Sequence, residues 1–126
     1  MKIALRGHKP NKLYGYDLFT EKYDILGNKI LKILEEENAD WCISGGALGA
    51  DQLFAIIAIK NKYKLEMAIP CLNHSKMWND YSKALYQNIL NCADKVTIVT
   101  EEEYSPNLMQ IRNQYMVDNC DKLIAI

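Results

Sequence analysis

A glycine-rich stretch between a short apolar run and an apolar helix is the first candidate for ligand chemistry. It reads WCISGGALGADQLFAIIAI from Trp41 to Ile59 and contains Gly45, Gly46 and Gly49. A helix N-terminus presents unpaired N–H groups and a partial positive charge, and glycines let an anion approach because they carry no Cβ. The stretch therefore predicts either a phosphate cradle or a closely packed strand–helix turn. Its GGxxG spacing matches neither a Walker A loop nor GxGxxG.

Two polar residues flank this turn. Asp51 falls in the first turn of the helix, where a carboxylate interacts favourably with the helix dipole. It could cap the helix, accept a hydrogen bond from a ribose hydroxyl or brace the glycine turn. Ser44 could donate to a phosphate or simply end the strand.

The helix before the last strand carries a second polar pair, Arg112 and Asn113. An unpaired buried amide costs about 1–3 kcal/mol, so a buried Asn113 needs partners. We expect both side chains to face the glycine turn across a ligand cleft. The alternative is that Asn113 fixes a loop and Arg112 reaches solvent or a surface acid. The prediction rests on helical steps that give a core-facing stripe of Met109, Asn113, Met116 and Cys120.

The first strand ends in RGHKP, from Arg6 to Pro10. Flexible Gly7 and the ring of His8 fall where ligand contacts are expected, and we assign both to binding rather than catalysis. A structural role for His8 is the alternative.

No complete catalytic set is recognisable. Asp51 and Arg112 are the only candidates, and neither stands beside a second acid or base. The four cysteines form no CxxC pair and the two histidines supply no zinc cluster. We therefore expect reduced, mostly buried thiols, no metal site and no cofactor.

Strand-like and helix-like segments alternate along the chain. The predicted strands are Lys2 to Gly7, Asp40 to Ser44, Leu65 to Pro70, Lys95 to Thr100 and Lys122 to Ile126. Helices are predicted after the caps Thr20, Ser75 and Ser105, and from about Leu48 to Tyr63. Strands two to five lack polar alternation, so we expect both of their faces to be buried, which is typical of a parallel sheet. Right-handed crossovers then predict an α/β, doubly wound, mostly parallel five-stranded sheet with helices on both faces and ligands at the carboxyl ends of the strands.

Length and charge limit the function classes. The 126 residues suit one domain, residues 1–126. The net charge of -1 gives no general attraction to nucleic acid or membrane. There is no run of 18 apolar residues, and MKIALRGHKP is too short for a signal peptide, so we expect a cytoplasmic protein.

Three segments in order resemble a known superfamily. LRGHKP, ISGGALGAD and IRNQYMVDNCDKLIAI are similar to the SLOG superfamily, which contains the DNA-processing protein DprA and the LOG phosphoribohydrolases. The nearest branch is the YpsA-like proteins of bacteria and their phages. The resemblance spans nearly the whole chain and implies a Rossmann-like fold with a nucleotide or ADP-ribose-type ligand. It places Ser44, Gly45, Gly46 and Gly49 on the phosphate side of the site, followed by Asp51.

The end of the chain both matches and departs from that pattern. Arg112 and Met116 match the Arg-x-x-x-Met of LOG enzymes, where the Arg lies at the active site. Asn113 stands where those enzymes usually have Lys, and Asp121 matches the Asp that opens the next strand. LOG enzymes continue with a PGGxGTxxE motif that holds their catalytic Glu, whereas this sequence ends at Ile126. We therefore expect a truncated or naturally minimal form that self-associates into a homo-oligomer, since an uncovered strand edge invites pairing.

Three functions remain open. The leading hypothesis is a domain that senses or sequesters a nucleotide or nucleotide derivative. The second is N-glycosidic hydrolysis of a nucleoside monophosphate, which requires an acid/base and a carboxylate near the sugar. The third is single-stranded DNA binding, for which Tyr14, Tyr16 and Trp78 could stack on bases although the charge balance is unfavourable.

Overall fold

The computed structural model describes residues 1–126, and it confirms the predicted alternation of strands and helices. The strands are β1 (Lys2–Arg6), β2 (Trp41–Ser44), β3 (Lys64–Ile69), β4 (Lys95–Ile98) and β5 (Lys122–Ala125). The α-helices are α1 (Glu21–Glu36), α2 (Ala50–Lys60), α3 (Asp80–Cys92) and α4 (Pro106–Asp118). A short 3-10 turn, Pro10–Lys12, follows β1.

All neighbouring strands pair in parallel, in the order β4-β3-β2-β1-β5. The chain steps in one direction from β1 to β4 and then returns across the sheet to place β5 beside β1. Right-handed crossovers put α1, α2 and α3 on one face and α4 alone on the other. The α/β doubly wound fold is therefore confirmed, with unequal cover on the two faces.

The main core lies under the three helices of the first face. Tyr23 of α1, Phe54 of α2 and Ile89 of α3 pack with Ile3 and Leu65 of the sheet in one cluster. Almost every side chain of α2 is buried, as the apolar sequence after Asp51 indicates. This burial fixes the start of α2 firmly against the carboxyl ends of β1 and β2.

On the second face the predicted stripe of α4 is right at Met116 and wrong by one residue at its two earlier positions. Met116 packs against Ala4, Ile43 and Ala68 of the sheet. Arg112 is buried, whereas Asn113 is only half-buried, because a hydrogen bond to the glycine turn satisfies the inward-pointing guanidinium. Met116 is buried as predicted, but the other buried positions of α4 are Leu108 and Arg112 instead of Met109 and Asn113, and Cys120 lies beyond the end of the helix.

The edge strands also differ from expectation. Strands β4 and β5 were predicted to be buried on both faces, but three of their large apolar side chains are more than two-fifths exposed: Val96, Ile98 and Leu123. Each edge strand has a neighbour on one side only, and one helix cannot cover a five-stranded face.

Helix α3 begins later than predicted. Asn79, not Ser75, caps it and accepts a hydrogen bond from the Ser82 N–H at 2.8 Å. Ser75 instead lies in a series of turns between β3 and α3. Thr20 and Ser105 do occupy the N-cap positions of α1 and α4, although neither side chain makes a capping hydrogen bond.

All four cysteines are free, as expected, but only Cys42 and Cys71 are buried, so the prediction of mostly buried thiols is half right. None of the four helices has both the length and the apolar run that crossing a bilayer would require.

Candidate functional site

The glycine turn between β2 and α2 is held from behind by buried side chains. Arg112 donates from Nη1 to the Gly45 carbonyl at 2.5 Å, and Gln52 donates from Nε2 to the Gly46 carbonyl at 3.4 Å. The Ser44 hydroxyl donates to the Asp51 carbonyl at 2.6 Å and accepts the Gly46 N–H at 3.2 Å. Ser44 therefore braces the turn, and its hydroxyl proton is already used.

Two of the glycines are required by the backbone. Gly46 has φ +72° and Gly49 has φ +91°, values that L side chains rarely adopt. A Cβ on Gly46 would lie 2.9 Å from the Met67 and Tyr86 side chains, and one on Gly49 would lie 2.7 Å from the His8 carbonyl oxygen. Close packing of the turn, the simpler of the two sequence hypotheses, is therefore a sufficient reason for both glycines.

The same turn presents an unused donor. The Ala47 carbonyl accepts the N–H of Gln52 in α2 at 3.2 Å. Because the next peptide group is planar and trans, the Leu48 N–H points away from α2. That N–H donates no hydrogen bond within the chain. Leu48 lines the cleft described below, which makes its N–H a candidate donor for a ligand.

A pair of buried charges supports the turn from inside. Arg112 is 3% exposed and Asp51 is 8% exposed. A Cβ on Gly45 would lie 2.3 Å from Arg112 Nη1 and 2.9 Å from Asp51 Oδ2, so both groups converge on that glycine. Burial raises the pKa of Asp51 to about 6, although the Arg112 charge and the Ala47 N–H oppose the shift. Both charges therefore stabilise the shape of the turn from beneath it.

A cleft of about 680 Å³ opens in front of the turn, at the carboxyl ends of the strands. Its walls come from the segment after β1, the glycine turn, the segment between β3 and α3, and the segment from the end of β4 into α4. This is the position at which open parallel sheets bind ligands, and the volume lies within the range of small-molecule sites.

Aromatic rings form one part of the wall. Tyr16 is 54% exposed and Tyr104 is 49% exposed, while Trp78 is half-buried. Asn73 accepts the Tyr104 N–H at 3.0 Å and so ties the segment after β3 to the segment after β4. Exposed ring faces beside a cleft suit stacking against a planar group.

The charges of the cleft are few and mainly positive. Lys9 and Lys76 line it, together with one carboxylate, that of Glu103. With the free Leu48 N–H, these lysines give the cleft an excess of groups that favour an anion. No group of three His, Cys, Asp or Glu side chains in the chain could hold a metal ion.

The predicted ligand-binding residues surround the turn but do not line this cleft. Gly7 allows close packing, since a Cβ there would lie 2.4 Å from that of Ala50. His8 accepts the Ala50 N–H through its carbonyl at 3.2 Å, and its ring is exposed. Asn113 accepts a hydrogen bond from Arg112 Nε at 2.9 Å. The other six members lie at or behind the turn: Ser44, Gly45, Gly46, Gly49, Asp51 and Arg112. Their assignment to ligand binding stays a prediction.

The lining residues themselves were mostly missed. Tyr16 and Trp78, considered as stacking residues, do line the cleft, whereas Tyr14 packs edge-on against Tyr23 at 5.3 Å. The only available signal for the rest was position, because they follow the carboxyl ends of β1, β3 and β4. Those residues are chiefly Lys9, Asn73, His74, Lys76, Glu103 and Tyr104.

Known proteins of one family are similar to this chain in sequence. A family model for YpsA, described as the YspA SLOG family, matches residues 3–126. The SPbeta prophage-derived protein YoqJ of Bacillus subtilis is 34% identical over 121 residues, which cover 80% of this chain and 71% of YoqJ. A UPF0398 protein of Lactobacillus gasseri is 33% identical over 106 residues, which cover 80% of this chain and 56% of that protein.

A solved structure shares the fold. The X-ray structure of TM1055, a structural genomics target, superposes with a TM-score of 0.59 at 13% sequence identity. The match covers 99% of this chain and 59% of that chain. At this identity the likeness concerns the fold alone.

Proposed function

This chain belongs to the YpsA SLOG family, and from that premise we propose that its cleft binds a nucleotide or a nucleotide derivative such as ADP-ribose, in order to sense or sequester it. One observation carries the proposal: groups that favour an anion and exposed aromatic rings share a single cleft at the carboxyl ends of the strands. A nucleotide suits both kinds of group, because it joins an anionic phosphate to a planar base.

The anion would bind at the glycine turn. The Leu48 N–H donates no hydrogen bond within the chain. Lys9 and Lys76, which come before and after the glycine turn in the sequence, both line the cleft and supply positive charge. Lysine is a common phosphate ligand, acting as a mobile point charge. The buried Arg112 contributes indirectly, by holding the Gly45 carbonyl and hence the shape of the turn.

The base would stack on the aromatic wall. Tyr104 and Tyr16 line the cleft, and each is about half exposed. Stacking of a base on an aromatic side chain contributes about 1–3 kcal/mol and depends little on base identity. The proposal therefore predicts recognition of nucleotides as a class, with modest discrimination among bases.

Calorimetric titration tests this function. We expect ADP-ribose and AMP to bind the wild type, and Lys76→Met or Tyr104→Leu to weaken binding about tenfold. Lys83→Met on the exposed side of α3 is the matched control and should leave affinity unchanged. If none of AMP, ADP or ADP-ribose binds at millimolar concentration, nucleotide recognition by this cleft is wrong.

N-glycosidic hydrolysis is a second candidate because one carboxylate, Glu103, does line the cleft. Asp51, the candidate suggested by sequence, lies behind the turn and is less suited to the role. If Glu103 serves this hydrolysis, incubation with AMP should release adenine in the wild type and not in Glu103→Gln. Single-stranded DNA binding has weaker support, since a net charge of -1 predicts no mobility shift at physiological salt.

A further inference from the structure

His74 lies in the wall of the cleft as a largely buried ring. It is 8% exposed and packs edge-on against Trp78 at 5.0 Å and Tyr86 at 5.8 Å between ring centroids. Trp78 and Tyr86 also pack on each other, at 5.1 Å. These two rings hold the imidazole in one place, as recognition of a specific group requires.

The two ring nitrogens of His74 have different surroundings. Nδ1 is sealed from solvent and has no hydrogen-bond partner within the chain. Nε2 is not among the sealed atoms and makes no hydrogen bond to the protein. Because His74 lines the cleft, a ligand bound there can supply a partner for Nε2. Burying an N–H without an acceptor is rarer in proteins than leaving an acceptor unsatisfied. The neutral ring therefore carries its proton on Nε2, facing the cleft.

The ring stays neutral near physiological pH. Burial, together with the smaller effects of the Arg112 and Lys9 charges, lowers the pKa of His74 to about 4. Burial also raises the pKa of Tyr86, so its hydroxyl keeps its proton and adds no negative charge beside the imidazole. His74 is thus a fixed, uncharged donor.

We propose that His74 donates a hydrogen bond from Nε2 to a phosphoryl oxygen of the bound ligand, a role that rests on the nucleotide function proposed above. Lys9 and Lys76 and the free N–H of Leu48 line the same cleft, so an anionic oxygen meets several donors there. A contact at Nε2 gives the ring a hydrogen bond that no group of the protein supplies. His74 then selects phosphorylated ligands over nucleosides.

The imidazole resonances of the 15N-labelled protein test this directly. The chain has two histidines, and exposed His8 is an internal control. At constant pH, inorganic phosphate and AMP should shift the Nε2 signal of His74 with saturation, while adenosine should not, and His8 should show no saturating shift. The starting spectrum should show the proton on Nε2.

Two variants separate the hydrogen bond from packing. His74→Phe should lower the affinity for AMP about tenfold and leave that for adenosine unchanged. His74→Gln, whose amide can donate from a similar position, should stay within about threefold of wild type for AMP.

The outcomes distinguish this inference from the function on which it rests. If AMP binds but leaves the His74 signal unmoved, or if His74→Phe weakens AMP and adenosine equally, the phosphoryl contact is wrong while nucleotide binding stands. If phosphate shifts His74 but nucleotides bind no better than phosphate, the contact stands and the nucleotide function is wrong. If neither phosphate nor AMP moves His74, the contact is wrong.

Discussion

Gly46 is the residue on which the shape of the glycine turn depends most directly. The left-handed conformation costs a residue with a side chain about 1–2 kcal/mol, and a Cβ here would also meet Met67 and Tyr86 at 2.9 Å. We expect Gly46→Ala to lower the free energy of unfolding by about 2–3 kcal/mol in urea denaturation. The larger Gly46→Val would therefore damage the fold as well as the site.

Gly15 provides the matched control for Gly46. It also has a positive φ, +91°, but nothing lies within 4 Å of the place its Cβ would take. Gly15→Ala should therefore lower the free energy of unfolding only by the cost of the left-handed backbone conformation, about 1–2 kcal/mol. Equal losses in the two variants would show that the packing around Gly46 yields to a methyl group.

Asp51 and His74 make stability depend on pH in opposite directions. Burial raises the pKa of Asp51 to about 6 from 3.8, so the folded state binds more protons between these values and the free energy of unfolding falls as pH rises. Burial lowers the pKa of His74 to about 4 from 6.5, so the unfolded state binds more protons and the free energy of unfolding rises with pH. In the wild type the two slopes largely cancel.

A variant that removes one of these two groups should show the pH dependence of the unfolding free energy that the other group causes. Between about pH 4.5 and 6, the free energy of unfolding of Asp51→Asn should rise with pH, and that of His74→Phe should fall, each by about 1 kcal/mol per pH unit. Urea denaturation at several pH values measures both. Slopes of the same sign in the two variants would contradict the burial of one of these groups.

At the scale of elements, the sequence predicted the strands and helices well but the packing faces poorly. The strands were evident because they are short and apolar, and their ends lie within two residues of the prediction. The stripe of α4 was misplaced because apolarity alone cannot reveal that Arg112 is satisfied by the Gly45 carbonyl, 67 residues away. For the same reason the cleft-lining His74 and Tyr104 were missed, since they meet only when β3 and β4 pair.

The single helix on the second face is held by a buried carboxylate. Glu66 of β3 is fully buried and accepts hydrogen bonds from Lys2 Nζ at 2.8 Å, Thr97 Oγ1 at 2.8 Å and Tyr115 Oη at 2.6 Å. It thereby joins β1, β4 and α4 to the centre of the sheet. Burial alone would raise the pKa of Glu66, but these hydrogen bonds outweigh it and leave the pKa below its ordinary value.

Glu66→Gln should therefore lower the free energy of unfolding by about 2–3 kcal/mol at pH 7, because Lys2 loses its partner in a partly buried site. The difference should begin to shrink as pH falls below about 4.5, where the unfolded carboxyl gains its proton first, and should be lost once the native carboxyl is protonated as well. The exposed Lys32–Glu36 pair, at 3.8 Å, is the control, and Glu36→Gln should cost less than about 0.5 kcal/mol. A loss at Glu66 as small as that at Glu36 would mean that the network adds nothing to the docking of α4.

At the scale of the whole molecule, the unequal cover of the sheet leaves both of its edges open. β4 and β5 each have one neighbour, and Leu123 on β5 is 44% exposed. An open edge offers unpaired N–H and C=O groups to another chain, and charged side chains are a common means of blocking such pairing. Self-association through the edge of β5 therefore stays a prediction, and the exposed side of this strand is where we expect the contact.

We expect sedimentation equilibrium at micromolar concentration to give a mass above that of the monomer. Leu123→Lys should lower the association constant about tenfold or more, because it puts a charge on the apolar edge strand β5. Val117→Lys, at a position 50% exposed on α4, makes the same change away from the strand edge and should leave the association constant unaltered. If Val117→Lys dissociates the protein and Leu123→Lys does not, the contact is made through α4 instead. A wild type that stays monomeric throughout would mean that the twist or side chains of β5 already protect its edge.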